Sequence, residues 1–201
     1  MAMSSLEEAV TVIRLGGVVA FPTETYYGLA VDPENEDALR KLYRVKQRHS
    51  VKPILVLLEN VQGLESIASA VPDIYLPLME RYWPGPLTLI FPAKKELSST
   101  LTGGTNTVGV RVSPHPLAIS LVKKMGNPVT ATSANLSGRT PASSPREVKD
   151  IFGERVDYIL DGGETAAGKP STLVGIRQGK LTVLREGQLN LPGIAVAPPG
   201  S

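Results

Sequence analysis

The chain has 201 residues, 42% of them hydrophobic and 20% charged, with 19 Gly, 17 Pro and a formal charge of +2, enough for one large domain built of many short elements. It has no cysteine and only two histidines, His49 and His115, which excludes disulfides, a thiolate nucleophile and thiolate metal sites and all but excludes a histidine zinc site. The longest apolar runs are far short of a membrane span and no secretory h-region opens the chain, so no membrane contact and a cytoplasmic location are expected.

Ser5-Leu6-Glu7-Glu8 reads as a capping box, opening a helix whose Leu6, Val10 and Ile13 recur at helical spacing until Gly16-Gly17. A buried strand is expected over 18–21; it stops at Pro22 and delivers Thr23-Glu24-Thr25-Tyr26-Tyr27-Gly28 to a strand end, where α/β sheets place ligands. A helix over 34–46 with Asn35 as N-cap follows, then a strand at 54–58 and helices at 61–70 and 72–82, the second weakened by Pro77 in its interior. Trp83-Pro84-Gly85-Pro86 breaks the chain before a strand at 87–91, and a polar run, 98–107, leads to the alternating strand 108–112. A helix at 116–124, a strand at 129–132, a helix from Ser144-Pro145 to Phe152, a strand at 158–161 and a hairpin of 173–176 with 181–184 complete the pattern. Strands alternate with helices early and form a hairpin late, so the expected class is α/β with α+β character on a mixed sheet. Residues 1–187 read as one domain and 188–201 as a flexible C-terminal tail.

Several stretches carry candidate chemistry. Residues 130–139, Thr-Ala-Thr-Ser-Ala-Asn-Leu-Ser-Gly-Arg, set hydroxyls, a carboxamide and an Arg among small residues, so a ligand could approach the backbone closely; by composition alone they also describe a turn. Lys46, Arg48 and Lys52 could converge on one polyanion, or form a solvated basic loop at a helix C-terminus. Arg111, between Val110 and Val112, shares no face with polar groups of its expected strand. It is costly to bury without an anion, which could be an internal carboxylate or a ligand. Arg185 poses the same choice, with a surface arginine at a sheet edge as the plainer reading. Gly163-Glu-Thr-Ala-Ala-Gly168-Lys169 imitates a P-loop, but Pro170 stands where that motif needs Ser or Thr, and a strand follows where it needs a helix. No Gly-x-Ser-x-Gly elbow and no dinucleotide fingerprint occurs.

Taken together, Pro22-Thr-Glu-Thr-Tyr-Tyr-Gly-Leu29, Lys46-x-Arg48, Trp83-Pro-Gly-Pro-Leu-Thr88, Val108-Gly-Val-Arg111, Ser133-Ala-Asn-Leu-Ser-Gly-Arg139 and Ser171-Thr172 resemble, in order and spacing, the YrdC family, whose best-known members are threonylcarbamoyl-AMP synthases. The resemblance runs from about Leu6 to Gly187. It implies a twisted mixed sheet with flanking helices around a concave basic cavity. It also implies a nucleotidyltransferase that turns L-threonine, bicarbonate and ATP, carried with Mg²⁺, into threonylcarbamoyl-AMP and pyrophosphate. That product would feed a tRNA threonylcarbamoyl transferase complex that modifies the adenosine beside the anticodon, and tRNA itself is a further candidate contact.

By the same resemblance Thr25, Arg111, Ala131 and Ser171 would hold threonine, and Arg48, Lys52, Thr107, Ser133, Pro141 and Arg185 would hold ATP. Lys46, Arg48, Ser133 and Asn135 would form the catalytic Lys-x-Arg and Ser-x-Asn signatures. Two positions depart from the pattern: Leu57 stands where many relatives have a threonine-side His, and His49 follows Lys-x-Arg where Pro is common. The family has a longer branch with a second C-terminal domain, and the chain is expected to be the short form. Two other readings stand beside this one, a non-catalytic RNA-binding module of the same fold and a carbamoyl-adenylating activity that uses another carbamoyl donor.

Overall fold

A computed structural model describes residues 4–48 and 53–198; His49 and Lys52 lie outside the described residues. Helix α1 (Ser5–Arg14) leads to strands β1 (Val19–Phe21) and β2 (Gly28–Ala30), helix α2 (Glu36–Lys46) and strand β3 (Val56–Leu58). Two 3-10 turns, Val61–Ser66 and Asp73–Tyr75, and helix α3 (Leu76–Tyr82) precede β4 (Leu87–Pro92), α4 (Ser99–Thr102) and β5 (Thr107–Val112). Then come α5 (Pro116–Met125), β6 (Val129–Thr130), β7 (Thr132–Ser133), α6 (Pro145–Phe152), β8 (Tyr158–Ile159), the hairpin β9 (Thr172–Arg177) and β10 (Lys180–Arg185), and β11 (Ala195–Val196).

The strands form a four-stranded sheet, β7-β2-β1-β8, and a seven-stranded sheet, β11-β10-β9-β4-β5-β3-β6. Both are mixed, with β1–β8, β3–β5, β4–β9 and β10–β11 parallel, as the α/β class with α+β character requires. The division into two sheets comes from the stretch expected as one strand over 129–132. Thr130 pairs with Val56 in the larger sheet and Thr132 with Leu29 in the smaller one. Between them the Ala131 N–H donates to Leu55 O at 2.8 Å. Thr130 braces the corner, its N–H donating to Val31 O at 3.1 Å and its Oγ1 accepting from Val31 N at 2.8 Å. The two sheets are therefore joined by a backbone corner at Ala131.

Two apolar cores lie on either side of this frame. One packs Leu39 and Leu42 of α2 against Val56, Leu89, Val110 and Val174 of the large sheet. The other packs Ala9, Val10 and Ile13 of α1 and Leu121 and Val122 of α5 against Phe21, Leu57 and Val129. Each fully buried Leu, Val or Phe contributes roughly 1.5–3 kcal/mol by area, an upper estimate. No helix among the described residues is long and apolar enough to cross a membrane.

Four expectations are corrected. The cap of α1 is Ser4, not Ser5: Ser4 Oγ accepts from Glu7 N and Ser4 N donates to Glu7 Oε2 at 3.0 Å. Both serines begin a Ser-x-x-Glu frame, and the frame used leaves Glu8 free to accept from Tyr158 Oη at 2.9 Å. The helix expected over 61–70 is a 3-10 turn ending at Ser66. Pro77 sits in the first turn of α3 rather than its interior, because a separate 3-10 turn precedes that helix. The last segment is not a loose tail, since Leu191 is buried, β11 adds to β10, and Ala197 N donates to Val183 O at 2.8 Å.

Gly187 is where this segment starts. A Cβ there would lie 2.3 Å from Pro170 O and 2.4 Å from Ser171 C and Thr172 N, all backbone atoms that cannot rotate aside. Gly187→Ala is expected to cost about 2 kcal/mol or more in urea unfolding, as overpacking against a fixed frame does. A variant as stable as the wild type would show that the crossing can relax.

Candidate active site

The cavity is the space between the two sheets. Strand β5 begins at Thr107, one residue before the alternation suggested, and this corrects the view that Arg111 shares no face with polar groups. Thr107, Gly109 and Arg111 point together into the cavity, while Val108, Val110 and Val112 enter the core. Register places Ile90 beside Gly109, and Leu55 lies across the glycine, where a Cβ would meet Leu55 Cδ2 at 2.2 Å. A glycine inside an alternating strand was the sequence signal for this close approach. Leu173, Leu184 and Arg185 continue the floor, and Thr23, Thr25, Tyr26, Ala131, Ser133 and Pro141 form facing walls around about 780 Å³, the size of a small-molecule site.

Arg111 meets both readings offered for it. Its Nη1 donates to Glu24 Oε1 at 2.7 Å and makes a longer contact of 3.4 Å to Thr25 Oγ1, while the guanidinium still lines the cavity. Burial pushes its pKa down, and the Glu24 charge opposes that. Arg185 is no edge residue. Its Nη2 donates to Ser171 O at 2.9 Å and Ser171 Oγ at 3.2 Å, and Ser171 Oγ lies 2.8 Å from Thr88 Oγ1. Its pKa is lowered first by burial and then by the like charges of Arg111 and Arg48, so the three guanidiniums share one electrostatic environment. Arg48 donates to Pro53 O at 2.7 Å and Thr132 Oγ1 at 3.3 Å, while its buried Nε has no partner among the described residues.

The hydroxyls are oriented. Thr23 Oγ1 gives its one proton to Tyr26 O at 2.7 Å, so in its 3.0 Å contact with Thr25 Oγ1 the donor is Thr25. Thr25 therefore keeps one lone pair for the cavity beside the one that faces Arg111. Ser133 Oγ likewise donates to Asn135 Oδ1 at 2.7 Å, leaving lone pairs free. Lys46 explains that polarity: its Nζ donates to Ser133 O, to Asn135 O at 2.9 Å and to Asn135 Oδ1 at 3.1 Å. Asn135 Nδ2 then donates to Arg139 O at 2.5 Å. Lys46 is 2% exposed, and burial, then Arg48, presses its pKa down to about 7.

Of the residues expected at a ligand, Thr25, Arg48, Thr107, Arg111, Ala131, Ser133, Pro141, Ser171 and Arg185 all line this one cavity. Lys46 and Asn135 do not; they stand behind the wall and hold Ser133. Leu57, in register with Arg111, is buried in the second core and takes no part in the cavity surface. Glu24, Tyr26 and Thr88 lie inside the motifs but carry no role in them, and Ile90, Leu173 and Leu184 have no local signal, because only pairing register brings apolar residues of separate strands together.

Ala131 is the one wall residue that is both corner and lining. Ala131→Val is expected to weaken calorimetric binding of a ligand at the Arg111 end about tenfold or more by filling space, with less effect at the Arg48 and Ser133 end. Ser133→Ala should do the reverse. Unchanged binding at both ends in both variants would make this stretch a structural turn.

The fold and site define an α/β protein with an arginine-lined cavity between two mixed sheets. The model of the Sua5/YciO/YrdC family, described as telomere recombination, matches residues 11–187, and the chain belongs to that family. It is 39% identical over 183 residues to a threonylcarbamoyl-AMP synthase of Bacillus subtilis, covering 90% of this chain and 53% of that protein. It is 40% identical to one of Thiobacillus denitrificans, covering 84% and 89%. The crystal structure of Pyrococcus abyssi Sua5 complexed with L-threonine superposes with a TM-score of 0.92 at 33% identity, covering 98% of this chain and 61% of that one. The chain thus spans about half the length of the Bacillus relative.

Proposed function

We propose that the chain makes threonylcarbamoyl-AMP and pyrophosphate from L-threonine, bicarbonate and ATP, as the first step of threonylcarbamoyl modification of tRNA adenosine. The observation that carries this is the grouping of Arg48, Arg111 and Arg185 in one cavity whose lining among the described residues includes no carboxylate. Glu24 answers only one of the three guanidiniums, so the cavity keeps a net positive charge for anions, and its two ends suit a carboxylate and a polyphosphate. The relatives named above support this choice of substrates.

In this reading Arg111 takes the threonine carboxylate and the remaining lone pair of Thr25 accepts from its amine. The amine and bicarbonate give a carbamate with loss of water. A carbamate oxygen attacks the α-phosphorus, the bond to the β-phosphate oxygen breaks, and pyrophosphate leaves with that electron pair. Such a step needs alignment and charge neutralisation rather than a protein nucleophile. Arg48, Arg185 and Thr107 supply donors to phosphate, and Ser133 accepts from a nucleotide hydroxyl or amine.

The described residues hold no cluster of acidic, His or Cys side chains fit for a resident metal. Mg²⁺ enters as part of the MgATP substrate. Mass spectrometry of the nucleotide formed from threonine, bicarbonate and MgATP tests the reading: the threonylcarbamoyl adenylate is expected. A folded sample that releases no threonine-dependent pyrophosphate would sink it.

A further inference from the structure

Glu24 does not line the cavity, yet it is bonded directly to Arg111 at 2.7 Å. The side chains are 13% and 8% exposed. One Glu24 oxygen accepts from Arg111, and the other accepts from Ser113 Oγ. Ser113 Oγ in turn accepts from His115 N at 3.2 Å, where His115 caps α5. The carboxylate is thus held by the foot of a helix rather than by its own loop. Among the described residues Arg111 is the only cavity guanidinium in a salt bridge; Arg48 and Arg185 pair with carbonyls and hydroxyls instead.

This difference divides the cavity electrically. Arg48 and Arg185 keep their full charge for a polyanion. At Arg111 the charge is already cancelled, while donors on the guanidinium remain for one more oxygen pair. A neutral zwitterion, with its carboxylate on Arg111 and its ammonium near Thr25 Oγ1, balances that end. Once a polyanion occupies Arg48 and Arg185, a ligand with two carboxylates would leave a negative charge beside Glu24 between low-dielectric walls, where repulsion is poorly screened.

Resting on the reading of this cavity as an amino-acid and nucleotide site, we propose that Glu24 is its specificity-determining residue: by cancelling Arg111 it admits an amino acid with one carboxylate and refuses one bearing a second anion. The selectivity is made by repulsion of the wrong ligand as much as by attraction of the right one. Glu24 acts through Arg111 and touches no substrate.

The test is calorimetric binding of threonine, asparagine and aspartate to the intact chain with Arg48 and Arg185 saturated by a non-hydrolysable ATP analogue, asparagine being the neutral isostere of aspartate. The wild type is expected to bind asparagine about tenfold or more tightly than aspartate. Glu24→Gln keeps an oxygen for Arg111 and removes the charge, so aspartate should bind more tightly than in the wild type and the ratio should fall to about threefold or less. Glu24→Asp should restore the ratio. A Glu24→Gln protein that keeps the wild-type ratio overturns the proposal, as does one in which aspartate weakens along with threonine, the mark of a residue that merely props Arg111. Should Glu24→Gln fail to fold, the wild-type ratio decides, and equal affinity for asparagine and aspartate overturns the proposal. Threonine binding without formation of the adenylate would sink the proposed reaction and leave this test standing; no amino-acid binding at all would overturn both.

Discussion

Arg111→Met is expected to lower kcat/KM for threonine about a thousandfold, the loss of a charge-assisted carboxylate clamp in a closed site. It should also cost about 3–5 kcal/mol of stability, because Glu24 and its Ser113 contact stay buried while the cation that balanced them is gone. The two losses separate in the double variant Arg111→Met with Glu24→Gln. With no charge left unpaired, urea unfolding should recover most of the stability, while threonine-dependent pyrophosphate release stays lost. Threonine use within tenfold of wild type in the single variant would remove Arg111 from the substrate. A double variant as unstable as the single one would refute the ion-pair account.

The second large effect lies behind the cavity wall. Lys46→Met leaves Ser133 O, Asn135 O and Asn135 Oδ1 without their shared donor, at about 1–3 kcal/mol for each buried acceptor that finds no other partner. The cost depends on pH in a definite direction. The folded-state pKa of Lys46, about 7, lies below the ordinary 10.5, so between those values the unfolded chain holds a proton that the folded chain has released. Wild-type stability therefore rises with pH through this window, by about 2–3 kcal/mol from pH 6.5 to 9 for this group. The gap between wild type and Lys46→Met should widen by that amount, and KM for ATP should rise as Ser133 loses its support. Equal gaps in urea titrations at both pH values would show that Lys46 is not the titrating group.

Lys46 also shows how a motif can be right in its members and silent on their roles. Lys-x-Arg places two basic residues two positions apart, but α2 ends at Lys46 and Gln47 turns the chain through a positive φ of 50°. Lys46 therefore points into the wall and Arg48 into the cavity. Ser-x-Asn divides in the same way, with Ser133 facing the cavity and Asn135 behind it. Nothing in the spacing distinguishes the residue that meets the ligand from the one that orients it, because that depends on where neighbouring carbonyls lie.

The sequence by itself determined the elements whose causes are local. Asn35 caps α2, Pro116 and Pro145 open α5 and α6, and the β9–β10 hairpin turns at Gln178-Gly179, since caps, first-turn prolines and tight turns act within a few residues. Motif order likewise brought nine of the cavity residues to notice. Only the tertiary structure decided that the stretch over 129–132 bends between two sheets, that Glu24 is the partner of Arg111, 87 positions away in sequence, and that Thr107, Gly109 and Arg111 share a face with Ile90 and Leu173. Each depends on strand register and on pairing between distant segments, which no local pattern encodes; a shift of one residue would have turned Arg111 into the core and a valine toward the ligand.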